Sequence, residues 1–524
     1  MKSRFILITC YIYFSIVLKA EGTDSLVKYH DLNFKWEIEK SAFNTYAKNS
    51  LTDATNLFLK TYSKESGYDA VKVNELINAC VQDLKVKVKG LSEPKAIKII
   101  YKEVHQRFFK VYKLQNSFSD VFEKGEYNCV SGSAMYALVF HKMGIPYQIL
   151  EAPQHVFLMA YPTSHKIMIE TTSPQNGYYT FNEAYIQRFI NYMVSSKLIS
   201  QDEMNKSNAA ELFNKYYFKQ NGMTIIELAA AQYANYAVYH LENNEYEAAL
   251  TEIQKAYYLS PNEKHRYVLR TVLDYLVTNN DYKDLKRVHY LEGLCAFNNY
   301  AKDEISNEKI KYEFMRVMRD QLIEESNYAY IERSFEIVNE ALTDTALKKE
   351  IGFVYNYEMA RLGHTKYKDK NYLLPFLKEA YRCNPKDQDL QSLILSVFLR
   401  IIDNSNDIPM ISKLMDEFEG YFGFLKTHAG FNSVRANCLL ELCYQHYLLA
   451  EYSKGDKILS EFEVLCDSNK DIKPGDRFVE KAYSSVATYY YKKGNVAKTK
   501  QVLKKGLQYS PDNFGLKIRL NQLH

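Results

Sequence analysis

The chain has 524 residues, which is too long for one ordinary hydrophobic core, so we expect two or more folding units. Charged residues make up 25% of the chain and the formal net charge is only +4. These values argue against long disordered stretches and against a nucleic-acid-binding protein, which would carry a marked excess of positive charge.

The first predicted element is a secretory signal peptide over residues 1–20. Two basic residues precede an apolar run at residues 5–18, and Ala20 comes just before polar sequence. The run is shorter than the roughly 20 residues of a spanning helix, and no later stretch resembles a membrane span. We therefore predict an exported protein, periplasmic or secreted. It would be membrane-anchored only if the segment stayed uncleaved.

Helical segments follow the signal. Apolar residues recur at helical spacing between residues 69 and 111. The next segment is EYNCVSGSAMYALVFHKMG, residues 126–144, in which Asn128 is a typical N-cap residue and Gly144 a typical helix stop. We predict a mostly buried helix that carries Cys129 in its first turn.

Beyond that helix the hydrophobic period changes from about three and a half residues to two. The segments PYQILEA, HVFLMAY and KIMIETT are short, rich in β-favouring residues and separated by turn signals. We predict three sequential antiparallel strands. Together with the preceding helix they indicate an α+β unit.

From about Gly222 to its end the sequence is helical and repetitive. Two segments, AQYANYAVYHLENNEYEAALTEIQKAYYLSPN from Ala231 and KAYSSVATYYYKKGNVAKTKQVLKKGLQYSPD from Lys481, superpose with a shift of 250 residues. Small residues where two helices cross, and a proline after the second helix, suit stacked helical pairs. The pattern resembles tetratricopeptide repeats. Since 250 is not a multiple of about 34 residues, we expect an uneven α-solenoid.

Seven cysteines follow residue 20, and an odd number leaves at least one thiol unpaired in an oxidising compartment. Their spacing fits neither a zinc site nor a dense disulfide framework. Cys129 differs from the others because the unpaired N–H groups and the dipole of a helix start stabilise a thiolate. The small residues after it would leave the sulfur accessible.

A nucleophilic thiol also needs a base within reach and a group that orients the base. His155 begins the second predicted strand, and Glu170 lies near the end of the third. An even-length loop between these strands would place both side chains on one face, opposite one another or one diagonal step apart. An odd-length loop would separate them. His141, at a helix end, and His165, in a turn, are weaker candidates for the base.

Three segments, NCVSGSAMYALVFHKMGIPYQI, QHVFLMAY and IMIETTSP, resemble the transglutaminase-like superfamily, which shares its catalytic layout with papain-like cysteine peptidases. The resemblance covers roughly residues 95–180. It implies Cys129 as the nucleophile, His155 as the general base and acid, and Glu170 as the carboxylate that orients the imidazole. Glu170 stands where aspartate is usual, so its arm is one methylene longer.

We therefore expect an α+β transglutaminase-like (papain-like) domain over residues 21–222, followed by an all-α tetratricopeptide-like solenoid over residues 223–524. Two residues that precede Cys129, Asn128 and Tyr127, are candidates for stabilising an oxyanion. Asn128 is chiefly an N-cap that could assist the Cys129 N–H, and Tyr127 has a similar claim. No metal-binding or nucleotide-binding pattern is present, so we expect no cofactor.

The predicted function is that of an exported transglutaminase-like thiol enzyme acting on amide bonds of proteins or peptides. Resolution of the thioester by water would make it a cysteine peptidase or amidase, and resolution by an amine an acyltransferase. The helical repeats would bind a protein or peptide. The alternative is a non-catalytic protein-interaction scaffold with a degenerate transglutaminase-like domain.

Overall fold

The structure is a computed structural model that describes residues 26–49, 54–59, 70–152, 155–173, 177–181, 183–196, 198–216, 222–324, 327–366, 368–403, 405 and 407–523. The predicted signal peptide, residues 1–20, lies outside the described residues and stays a prediction. The chain divides into two compact units, Met1–Ser306 and Asn307–His524. None of the helices in the described ranges has the length and apolar character of a membrane span.

The predicted fold class is wrong. Instead of an α+β papain-like domain followed by a solenoid, the protein is mostly all-α, with 72% of the described residues in helices and 5% in strands. The β-favouring segments do form strands, but the strands are short and belong to two small sheets, so helices dominate the fold. The division at Ser306 falls inside the region that was predicted to be repetitive.

The N-terminal unit begins with helices and encloses both sheets. Its described α-helices are α1 (Glu37–Ala47), α2 (Thr55–Phe58), α3 (Ala70–Lys87), α4 (Glu93–Phe108), α5 (Asp120–Glu123), α6 (Cys129–Met143), α7 (Glu183–Ser195), α8 (Gln201–Lys206), α9 (Ala209–Tyr216), α10 (Ile225–Glu242), α11 (Tyr246–Leu259), α12 (Glu263–Thr278) and α13 (Val288–Tyr300). Its strands are β1 (Val111–Tyr112), β2 (Glu126–Tyr127), β3 (Tyr147–Ala152), β4 (His155–Ala160), β5 (Ile167–Ile169) and β6 (Tyr178–Thr180). Short 3-10 helices lie at Tyr29–Asp31 and Leu285–Arg287.

The two sheets differ in topology. Strands β1 and β2 pair in parallel, whereas β3, β4, β5 and β6 form an antiparallel meander in chain order. The three predicted strands are confirmed as β3, β4 and β5, and β6 was not predicted. Leu158 pairs with Ile169. Extending that register places His155 and Glu170 on one face, one diagonal step apart, which confirms the geometry expected for an even-length loop.

Helix α6 is a buried helix that packs against this antiparallel sheet. Its residues 130–140 are all buried, and it packs against β3, β4, α3 and α10. Ser133 donates its hydroxyl to the carbonyl of Val156 at 3.2 Å, which joins the helix to β4. A Cβ atom at Gly132 would lie 2.9 Å from the Thr171 Oγ1 atom, so the glycine allows the end of β5 to approach the helix closely.

A buried ion pair joins α1 to α11. The Lys255 Nζ atom lies 2.8 Å from the Glu39 Oε1 atom, and the two side chains are 1% and 0% exposed. Tyr233 of α10 donates its hydroxyl to the same carboxylate oxygen at 3.0 Å. Removal of Lys255 would leave the buried Glu39 carboxylate without its cation, so the packing of α1 depends on α10 and α11.

The C-terminal unit is helical throughout its described residues. Its α-helices are α14 (Asn307–Met318), α15 (Tyr328–Ala341), α16 (Thr345–Thr365), α17 (Lys370–Cys383), α18 (Gln388–Ile402), α19 (Ile408–Tyr421), α20 (Ala429–Leu448), α21 (Tyr452–Ser468), α22 (Asp476–Lys492), α23 (Val496–Tyr509) and α24 (Phe514–Asn521). A π-helix lies at Arg319–Glu324 and a 3-10 helix at Gly423–Thr427. At Gly506 a Cβ atom would come within 2.8 Å of the Tyr483 ring, so the glycine allows α22 and α23 to approach closely.

Candidate active site

Cys129 is the first residue of α6, as predicted. The Asn128 Oδ1 atom accepts the backbone N–H groups of Val130 and Ser131, each at 2.9 Å. The Ser131 hydroxyl accepts the N–H of Asn128 in return, at 3.0 Å. This reciprocal cap fixes the first turn, and Cys129 remains partly exposed there as a free thiol.

His155 and Glu170 are hydrogen-bonded to one another. The His155 Nε2 atom lies 2.6 Å from the Glu170 Oε2 atom. The histidine side chain is 30% exposed and the glutamate side chain 15%, so the pair is half-buried but reachable from solvent. The longer arm of glutamate, which departs from the usual aspartate, therefore still reaches the imidazole.

The Cys129 side chain also interacts with His155. The interaction with Cys129 and then the hydrogen bond with Glu170 outweigh burial and raise the pKa of His155 to about 10. The structure thus brings the three residues predicted from the sequence together, with His155 in contact with the carboxylate and near the thiol.

Both carboxylate oxygens of Glu170 accept hydrogen bonds. The Oε1 atom accepts the backbone N–H of Thr172 at 2.9 Å and its hydroxyl at 2.5 Å, while Oε2 faces His155. Burial acts to raise the pKa of Glu170, but the hydrogen bonds from His155 and Thr172 outweigh it, so the net pKa lies below its ordinary value. Glu170 is therefore a carboxylate that can orient and stabilise the imidazolium.

The backbone around Glu170 is fixed by contacts from distant parts of the chain. The Tyr101 hydroxyl donates to the carbonyls of Glu170 at 3.1 Å and Ser173 at 2.9 Å. The Glu170 N–H donates to the carbonyl of Gly177 at 2.6 Å. A Cβ atom at Gly177 would lie 2.0 Å from the Glu170 carbonyl oxygen, so this close approach requires glycine. No local pattern in the sequence indicates these roles.

The two oxyanion candidates are engaged elsewhere. The Asn128 Oδ1 atom caps α6, and its Nδ2 atom donates to the Leu114 carbonyl at 2.9 Å. Tyr127 is buried and stacks on Phe109 with ring centroids 4.5 Å apart. The Cys129 backbone N–H, in contrast, has no hydrogen-bond partner among the described residues. It is the donor best placed to meet negative charge that develops beside the sulfur.

Two tyrosines near the thiol, Tyr112 and Tyr239, were not predicted from the sequence to belong to the site. Burial and then the charge of Cys129 raise the pKa of Tyr112, which is 48% exposed on β1. The same two causes raise the pKa of Tyr239 to about 12. Tyr239 belongs to α10 and donates its hydroxyl to the Leu114 carbonyl at 2.6 Å. The surroundings of Cys129 thus include a helix that lies beyond residue 222.

The other described cysteines are chemically different from Cys129. All are free thiols, and burial raises the pKa of Cys438 to about 11 and that of Cys443 to about 12. Such thiols stay protonated at neutral pH and are poor nucleophiles. Within the described ranges, no cluster of three or more His, Cys, Asp or Glu side chains is arranged to hold a metal ion.

Comparisons with known proteins assign no family. No protein-family model matches the chain, and no curated protein matches it either. The resemblance to the transglutaminase-like superfamily therefore stays a prediction.

Proposed function

We propose that the protein is an exported thiol enzyme that attacks amide carbonyls in protein or peptide substrates. In this proposal Cys129 is the nucleophile, His155 the general base and acid, and Glu170 the group that orients the imidazole. The observation that carries the proposal is that the hydrogen-bonded pair His155–Glu170 lies beside Cys129 at the start of α6. The order of these residues, on which the resemblance to the transglutaminase-like superfamily rests, favours the same chemistry.

The reaction would begin with the sulfur as a thiolate beside the His155 imidazolium, since a neighbouring cation and a helix start both favour the charged sulfur. The thiolate adds to the carbonyl carbon, and the electron pair of the C=O bond moves to oxygen. The Cys129 N–H would stabilise that oxyanion. His155 then gives its proton to the leaving amine, the C–N bond breaks, and a thioester remains on Cys129.

Resolution of the thioester decides the type of enzyme. Water, or an amine, adds to the thioester carbonyl while the neutral His155 accepts its proton, and the C–S bond breaks to restore the thiolate. Cys129 is partly exposed and His155 is accessible to solvent, so water can reach the thioester. We therefore favour a peptidase or amidase, with acyl transfer to an amine as the variant reaction.

Thiol labelling tests the proposal directly. Iodoacetamide labelling of the full-length protein, followed residue by residue by mass spectrometry at neutral pH, should modify Cys129 at least about tenfold faster than Cys383. Cys383 is the matched control because it is also partly exposed, and burial raises its pKa. His155→Ala should slow labelling of Cys129 and leave that of Cys383 unchanged. Equal rates at the two thiols would contradict activation of Cys129.

Turnover is tested separately with a fluorescently labelled casein substrate, and with a fluorescent amine to detect acyl transfer. Wild type should release peptides or incorporate the amine, and Cys129→Ala should do neither. If wild type and Cys129→Ala behave alike in both assays while labelling remains selective, the chain is a binding protein with a reactive thiol. That outcome would favour the non-catalytic scaffold function.

A further inference from the structure

A groove of about 830 Å³ lies in the C-terminal unit along helices α20, α22 and α24. Its volume is in the range of sites that bind ligands. Tyrosine rings and hydroxyl side chains line much of it. The charged lining residues among those described are Arg477, Glu480, Lys481, Lys492 and Arg519.

Most of the positive charge in this groove is not neutralised within the protein. Lys481 is paired, since its Nζ atom lies 2.8 and 2.9 Å from the two carboxylate oxygens of Glu441. Arg477, Lys492 and Arg519 have no carboxylate within ion-pairing distance among the described residues. Four cations thus face two carboxylates, those of Glu441 and Glu480, and the groove keeps an excess of two positive charges.

The groove also offers an accessible hydroxyl group and an aromatic wall. Thr488 is exposed in the lining, and its hydroxyl donates to the Ser484 carbonyl at 2.7 Å, so the hydroxyl oxygen can still accept a hydrogen bond from an occupant. Tyr452 stacks on Tyr489 with ring centroids 4.0 Å apart, and the Lys481 ammonium group lies 4.3 Å from the Tyr444 ring centroid.

We propose that this groove binds an acidic peptide segment of a partner protein. Aspartate or glutamate side chains of the segment pair with Arg477, Lys492 and Arg519, while its backbone N–H groups donate to hydroxyl groups such as that of Thr488. A peptide fits better than a nucleic acid, because an excess of two charges is too small for the many phosphate contacts that nucleic-acid binding needs. The proposal is independent of catalysis at Cys129.

The test uses the full-length protein and a fluorescein-labelled peptide, Gly-Glu-Tyr-Glu-Leu-Glu-Gly-Glu, with anisotropy as the readout. The matched probe has glutamine at every glutamate. We expect the acidic peptide to bind at least about tenfold more tightly, and Arg477→Glu, Lys492→Glu and Arg519→Glu each to weaken it about tenfold. Lys457→Glu is the control, because Lys457 is exposed on α21 and does not line the groove.

Three outcomes would overturn the proposal. The first is equal affinity for the acidic and glutamine peptides. The second is that charge reversals at Arg477, Lys492 and Arg519 weaken binding of the acidic peptide no more than Lys457→Glu does. The third is displacement of the peptide by a single-stranded oligonucleotide of equal charge at a lower concentration than by unlabelled peptide. Circular dichroism melts check that each variant is folded. Cys129→Ala should bind as wild type does, so loss of catalysis and loss of binding remain distinguishable.

Discussion

Thr172 donates two hydrogen bonds to one carboxylate oxygen of Glu170, through its backbone N–H at 2.9 Å and its hydroxyl at 2.5 Å. The other oxygen is thereby directed at His155, 2.6 Å away. The orientation of the imidazole therefore depends on a residue that is not itself in contact with the thiol.

The first prediction concerns the charge of Glu170. Glu170→Gln keeps the shape of the side chain but removes the carboxylate that orients and stabilises the His155 imidazolium. We expect the rate of casein cleavage to fall about a hundredfold or more. Glu151→Gln is the matched control, because Glu151 lies on β3 and pairs with the exposed Lys264. Equal activity of the two variants would contradict the role given to Glu170.

A second prediction follows from the raised pKa of His155. The interactions with Cys129 and Glu170 raise that pKa from 6.5 to about 10, so the folded protein holds this proton more tightly than the unfolded chain does. The resulting stabilisation is fully present below about pH 6.5 and is lost as the pH rises towards about 10.

Urea unfolding of wild type and His155→Gln between about pH 6 and about pH 9.5 measures this contribution. The free energy of unfolding of wild type should fall more steeply with rising pH than that of the variant. Because the same tyrosines and lysines are present in both proteins, their titration cancels in the comparison. Parallel curves would show that the His155 proton is not held by the fold.

The third prediction concerns Gly177. A Cβ atom there would lie 2.0 Å from the Glu170 carbonyl oxygen and 2.1 Å from the Tyr101 hydroxyl, so Gly177→Ala must displace the backbone that carries Glu170. We expect a loss of about 1–3 kcal/mol in the free energy of unfolding, together with reduced Cys129 labelling. Gly420→Ala is the control, since nothing lies within 4 Å of a Cβ atom at that position. It should leave labelling unchanged.

The fourth prediction separates two roles of Asn128. Asn128→Ala removes the cap of α6 and should lower the free energy of unfolding by about 0.5–2 kcal/mol. Asn128→Asp can still accept the N–H groups of Val130 and Ser131, but it places a negative charge beside the sulfur. We expect this variant to be closer to wild type in stability and slower in iodoacetamide labelling. A melting curve and an iodoacetamide labelling rate, measured on each variant, test the two roles separately.

Local features of the site could be predicted from the sequence because they depend on neighbouring residues. The cap at Asn128, the helix start at Cys129 and the strands β3 to β5 follow from side-chain chemistry and hydrophobic period over a few residues. The even loop between β4 and β5 then placed His155 and Glu170 on one face.

The fold class and the remaining parts of the site could not be predicted in the same way. Hydrophobic period identifies strands but does not show how small a share of the fold they form, so three short strands were taken to indicate an α+β domain. Tyr101 reaches the Glu170 carbonyl across 69 residues, and the Tyr239 hydroxyl meets the Leu114 carbonyl across 125. Contacts at such separations leave no periodic signal in the chain.

The placement of Tyr239 and the buried Lys255–Glu39 pair have a practical consequence for anyone preparing fragments of this protein. A fragment cut after residue 222 would lack α10 and would therefore expose the apolar side of α6. It would also leave Glu39 without Lys255, the cation with which it pairs. A fragment for studying the thiol should therefore run at least to Ser306, where the first unit ends.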